Sequence, residues 1–214
     1  MVELAIYAFL AAFIFFRLYN SLGKTSGLQT TNHSQTISII MEDTQKYDDD
    51  DADIDIESVM EACNENDKSI INYIKKKDSE FSLKHFVDGS VKAFEIIIKA
   101  FNEGNAHILS MLLDTNLYNS FVEEIENRKA LGQLYKDIIV SIISHKITKL
   151  DLSGNIAYIT VKFITEQINF VKDSDDNILQ GSTSKINKIE DTWTFKKDTT
   201  LSNKKWYLSA IQSV

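Results

Sequence analysis

From Ser82 to Gly104 apolar residues recur at spacings of three and four, which puts Phe86, Ser90, Ala93, Phe94, Ile97 and Phe101 on one side of a helix. The other side alternates in sign every four residues, Lys84, Asp88 and Lys92, then Glu95, Lys99 and Glu103, and is expected to face solvent. Ser82 is placed to cap the first turn, Phe81 to staple onto Phe86, and Gly104 to close the last turn in a left-handed conformation. Gly89, with Ser90 and Ala93, is expected to leave a shallow place that a bulky neighbour fills. This helix is the element around which the rest of the chain should pack.

Helical spacing continues on both sides of it. Ile108, Leu109 and Leu112 predict a short helix, and Leu117, Tyr118, Phe121 and Ile125 predict another, with Thr115 as its cap and Gly132 beyond its end. Residues 57–80 predict a helical segment in which Ile70, Ile71, Tyr73 and Ile74 precede Lys75, Lys76 and Lys77. Such a basic amphipathic element suits the surface of an acidic membrane; it equally suits docking on the domain as a lid.

From Gln133 the period falls from 3.6 to 2 and β-branched residues become frequent, the mark of strands. The predicted segments are Leu134–Leu150, Ile156–Lys172, Lys185–Lys197 and Lys205–Gln212, separated by Ser153-Gly154-Asn155, by the polar cluster Asp173–Asn177 and by the loop Asp198–Lys204. Ala157, Ile159, Val161 and Phe163 share one face, as do Trp193 and Phe195, and Trp206, Leu208 and Ala210. Helices first and hairpin-linked strands afterwards predict an α+β fold, a curved antiparallel sheet bent around the Ser82–Gly104 helix into a cone with a pocket at its open end. Phe94, Ile97, Phe101, Tyr158, Trp193, Phe195 and Trp206 are the expected lining of that pocket.

The N-terminus carries an apolar run from Leu4 to Phe16 that reaches Leu22 if Arg17 snorkels, about 28 Å of helix and close to the thickness of a bilayer core. Residues 1–22 are therefore read as a single uncleaved anchor. Arg17 and Lys24 on its C-terminal side place the following domain in the cytoplasm. Residues 23–56 read as a flexible acidic tether. Its Asp51, Asp53 and Asp55 imitate the start of a calcium loop, but Ile56 stands where that loop turns on glycine and Ala62 where it needs a glutamate.

The charge is uneven. Of 31 acidic and 23 basic residues, 11 and 3 fall in residues 1–61, so the remainder is balanced and offers no electrostatic basis for nucleic-acid binding. A single cysteine, Cys63, excludes an internal disulfide and a thiolate-rich zinc site. No phosphate-binding glycine loop, zinc signature or nucleophile elbow is present, and no cofactor or metal is expected. Asp191, two residues before Trp193 and on its side of the strand, is the best candidate for a buried acid, with Arg128 as its expected counter-charge. His33, His85, His107 and His145 have no sequence-adjacent acid.

The pattern Phe86, Gly89-Ser90, Ala93-Phe94-Glu95, Ile97, Ala100-Phe101 and Gly104-Asn105, continued by Leu112-Leu113, Leu117-Tyr118, Phe121, Ile125, Arg128 and Gly132, resembles the Tim-forty-four-like (Tim44-like) domain family. Asp191-Thr192-Trp193-Thr194-Phe195 and Trp206-Tyr207-Leu208 complete the resemblance over residues 81–214. The anchor followed by Leu22-Gly23-Lys24-Thr25-Ser26-Gly27 is similar to bacterial members. The pattern departs from the family at Ser90, where Ala is usual, and at Asn105, where Asp is usual.

The resemblance implies a nuclear-transport-factor-two-like cone, held at a bacterial inner membrane, that acts by binding. Its implied partners are membrane lipid and a membrane or translocating protein, with an acyl chain or apolar peptide in the pocket. The linker that holds chaperone contacts in the mitochondrial import-motor scaffold has no counterpart here, so that role does not carry over. The alternative is a cone-fold enzyme, of isomerase or dehydratase type, acting on a small apolar substrate.

Overall fold

A computed structural model describes residues 64–201, 203 and 205–213. The expected anchor, the acidic tether and the first residues of the 57–80 segment lie outside the described residues. Four helices come first: α1 (Glu65–Lys77), α2 (Leu83–Glu103), α3 (Ala106–Leu112) and α4 (Thr115–Ala130). Five strands follow: β1 (Leu134–Ser153), β2 (Ile156–Lys172), β3 (Ile178–Gly181), β4 (Asn187–Asp198) and β5 (Tyr207–Ser213). Among the described residues no helix is long and apolar enough to cross a membrane.

The caps of α2 form as its sequence requires. Ser82 accepts from the His85 N–H, and Gly104, at φ 67°, donates to the carbonyls of Ala100 and Phe101 while Asn105 reaches back to Ala100 at 2.8 Å. Phe81 and Phe86 both pack on Trp206, at 5.9 and 4.9 Å between ring centres. The cap of α4 is Asp114 rather than Thr115. Its carboxylate accepts from Leu117 N at 2.8 Å and also holds Lys196 at 2.6 Å, which ties the helix start to β4.

The strands form one antiparallel sheet in the order β1-β2-β4-β5, with β3 beside the far end of β2. β1 is 20 residues long and breaks register with β2 at three places, which lets so long a pair bend. Ala157, Ile159, Val161 and Phe163 of β2 and Trp193 and Phe195 of β4 are buried under α2 and its neighbours, as their alternation predicts. The short β3 was not marked by periodicity: Ile178 and Leu179 are both exposed, so no face is buried to write a pattern. Gly181 secures it, at φ 79°, where an added Cβ would stand 2.2 Å from the Asn169 carbonyl oxygen.

β5 corrects a second expectation. Trp206 precedes the strand, and Ala210 is exposed while Leu208 is buried. The reason is a break in register at Ser209: Thr194 pairs with Ala210 and Phe195 with Leu208, so the extra residue moves Ala210 to the other face. Gly89 corrects a third, since an added Cβ there meets nothing within 4 Å and no bulky neighbour fills the place.

Candidate functional site

Among the described residues the side chains expected to line an aromatic pocket pack on one another as core. Phe94, Ile97, Phe101, Trp193 and Phe195 are buried, and their side chains pack between helix and sheet. Phe94 stacks on Phe163 at 4.6 Å and meets Trp193 at 4.7 Å, while Phe101 meets Phe121 at 4.7 Å. Tyr158 lies elsewhere, because the two-residue period of β2 turns it to the face opposite Ala157 and Ile159. Trp206 is half-buried against Phe81 and Phe86. Aromatic content marked a core here, as it does wherever rings supply most of the buried area.

Helix α1 takes the docked arrangement. Ile70, Ile71 and Ile74 belong to the hydrophobic core and are unavailable to lipid, which corrects their assignment to a membrane surface. Tyr73 is half-buried and donates to the Asn155 side chain at 3.1 Å; Lys75, Lys76 and Lys77 remain exposed. Just past the helix, Asp78 receives a 2.5 Å ion pair from Lys197, a lysine only 2% exposed whose ammonium lies 5.9 Å from the Trp206 ring centre. A lysine so deep needs its carboxylate, and the pair fixes α1 to β4.

The opposite end of the sheet, where β1 begins, holds a cleft of about 560 Å³. Glu95, Ile98, Lys99, Asn102 and Glu103 of α2 form one wall. Leu134, Lys136, Asp137, Ile138 and Ile139 of β1 form the other, and Phe170, Lys172 and Asp176 complete it. Its floor is apolar and its rim carries both signs of charge. None of the seven residues expected to line a pocket takes part.

Behind the cleft a polar ladder runs along the helix-facing side of β2. Asn169 donates to Asp137 at 2.8 Å and to Gln167 at 3.1 Å, and Gln167 donates to Thr165 at 2.9 Å. Burial pushes the Asp137 carboxyl above the ordinary aspartate range, against the opposing pull of the Asn169 hydrogen bond and the Arg128 charge. Asp191 is buried as expected; burial raises it too, the Ser213 hydroxyl that bonds it lowers it, and the Asp137 charge adds to the rise. Arg128 does not pair with Asp191. Its guanidinium sits 4.4 Å from the Phe101 ring centre, donates to the Phe101 carbonyl and feels Glu124 and Asp137, with burial lowering its pKa.

Sequence reasoning missed Asp137, Gln167, Asn169 and Asn102. A signal existed for the ladder: Thr165, Gln167 and Asn169 continue the parity of Ala157 to Phe163, so the core face of β2 turns polar toward its end. Among the described residues no group of acids, histidines or cysteines is arranged to hold a metal ion.

Helices laid on one face of a curved antiparallel sheet, with a mixed-lined cleft between helix and sheet edge at one end, define an α+β domain. Residues 67–213 match the model of the Tim44-like domain, and the chain belongs to that family. It is 21% identical over 124 residues to mitochondrial import inner membrane translocase subunit TIM44-1 of Arabidopsis thaliana, a match covering 58% of this chain and 26% of that protein. The intermembrane space region of the chloroplast protein ARC6 superposes with a TM-score of 0.44 at 13% identity, over 63% of this chain and 98% of that one. A score that low carries no weight for fold or function.

Proposed function

We propose that this protein is a non-catalytic binding scaffold of the inner membrane, held there by residues 1–22 with its domain on the cytoplasmic side, and that it handles a membrane or translocating polypeptide. The observation that carries this reading is family membership across residues 67–213, together with a relative named for import across the mitochondrial inner membrane. The cone of nuclear-transport-factor-two-like type belongs to the same proposal, with the α2–β1 cleft as its ligand site in place of the filled aromatic core. A rim bearing Glu95, Glu103, Lys99 and Lys136 suits a polypeptide better than an acyl chain, whose tail has no charge to offer. Lys75, Lys76 and Lys77 supply exposed positive charge for acidic lipid headgroups.

The enzyme alternative rests on Asp137, a raised carboxyl at the cleft. Asp191 is absent from the cleft's lining, and the side chain that bonds the Asp137 carboxyl is the amide of Asn169, which cannot relay a proton as an acid or base, so the arrangement favours binding. Fractionation of the full chain tests the scaffold reading: recovery in membranes after alkaline carbonate wash is expected, and recovery in the detergent-free soluble fraction would overturn the anchor.

A further inference from the structure

Among the described residues strand β1 ends the sheet and pairs on one side only, with β2. Asp137 turns its backbone to the open side, where its N–H donates to Asn102 Oδ1 at 3.1 Å and its carbonyl accepts from Asn102 Nδ2 at 2.8 Å. A carboxamide bonded in this way reproduces the two bonds that a neighbouring strand would make at that position. By the two-residue period, Tyr135 and Ile139 turn their N–H and carbonyl groups to the same side. The cleft takes residues from both faces of β1: Asp137 and Ile139 from the helix-covered face, Leu134 and Ile138 from the other. Its open volume therefore runs around the free edge of the strand.

We propose that the edge from Leu134 to Ile139 receives an extended polypeptide segment by strand addition, and that Asn102 is the latch which the segment displaces. This rests on the reading of the cleft as the binding site. A strand laid there would turn alternate side chains toward Ile98 and Ile139 on one face and toward Leu134, Ile138 and Phe170 on the other. The segment that fits is thus apolar on both faces, the composition of a strand buried in a folded protein and exposed only while that protein is unfolded. Charges of both signs beyond the apolar run match Glu95, Lys99 and Glu103, which follow one another a turn apart along α2. The register break between Ile139 and Ser141 ends the aligned backbone groups and limits the added strand to about 17 Å. A volume on this scale admits a short segment and not the edge of a second sheet with its covering helix.

The test uses the full chain in detergent and a fluorescein-labelled peptide with a run of Val, Ile and Leu between a terminal Lys and Glu, beside the same peptide N-methylated at alternate residues. Strand addition predicts that the parent binds, that N-methylation weakens it at least tenfold, and that the amides of Tyr135 and Ile139 gain protection from hydrogen exchange. Equal binding of the two peptides would overturn strand addition and leave the cleft as an apolar groove; failure of both to bind would overturn the cleft reading as well. Asn102→Ala, checked for an unchanged circular dichroism spectrum, is expected to bind the parent about threefold to tenfold more tightly. Unchanged or weaker binding would remove Asn102 from the role of latch.

Discussion

A methyl group placed on Gly89 meets no atom within 4 Å, whereas one on Gly104 comes within 3.3 Å of Ile125 at a φ of 67°. Both substitutions lower the entropy of the unfolded chain, but only the first does so without strain. Gly89→Ala is expected to raise unfolding stability by about 0.5–1 kcal/mol and Gly104→Ala to lower it, both measured by urea denaturation. Asp137 and Asp191 bring a pH dependence with a definite sign. Each has a folded pKa above the ordinary aspartate value, so its contribution is fully favourable below about 3.8 and is lost as pH rises through the folded value. Asp191→Asn is therefore expected to flatten the decline in stability between acid and neutral pH, and to be more stable than the parent at pH 7. An unaltered pH profile would show that the Asp191 carboxyl is adequately solvated after all. Asp191 was readable from its place beside Trp193; its lack of an arginine partner was not, because which way Arg128 turns depends on Phe101 and Tyr135 from other elements.

Docking of α1 depends on three isoleucines and one deep ion pair. Asp78→Asn keeps the shape of the side chain but leaves the Lys197 ammonium buried without its countercharge, and should cost about 3 kcal/mol or more. Joining it to Lys197→Met should recover most of the loss in a double-mutant cycle of unfolding free energies. Strictly additive losses would mean that the pair does not hold the helix. The existence of α2 and of four strands was legible because one face of each is more covered than the other, fully in β2 and β4 and only partly in β1 and β5, and that leaves a period in the sequence. What was not legible has the same cause: β3 buries no face, the break at Ser209 resets the parity of β5, and a basic amphipathic helix reads alike whether its apolar face meets lipid or a protein core. The filled centre was likewise hidden, since rings that line a cavity and rings that pack on one another share the same spacing. Phe94→Ala, which removes a ring in contact with both Phe163 and Trp193, should cost about 3–5 kcal/mol by urea denaturation; a loss under 1 kcal/mol would indicate that the centre has room to spare.

At the scale of the molecule the sheet has two unlike ends. One is closed by α1 and the Asp78–Lys197 pair; the other opens beside the edge of β1 that pairs with no strand among the described residues, with exposed Ile138 and Val140 and a rim of mixed charge. A scaffold that meets a polypeptide should do so at the second end. Site-specific photocrosslinking in intact membranes compares these surfaces directly, with a photoreactive residue at Ile138 in the cleft and another at Lys188 on the exposed part of β4. The account predicts polypeptide adducts from position 138 that are absent from position 188 and that the apolar peptide suppresses when added in excess. Equal adducts from both positions, or none from 138, would contradict it.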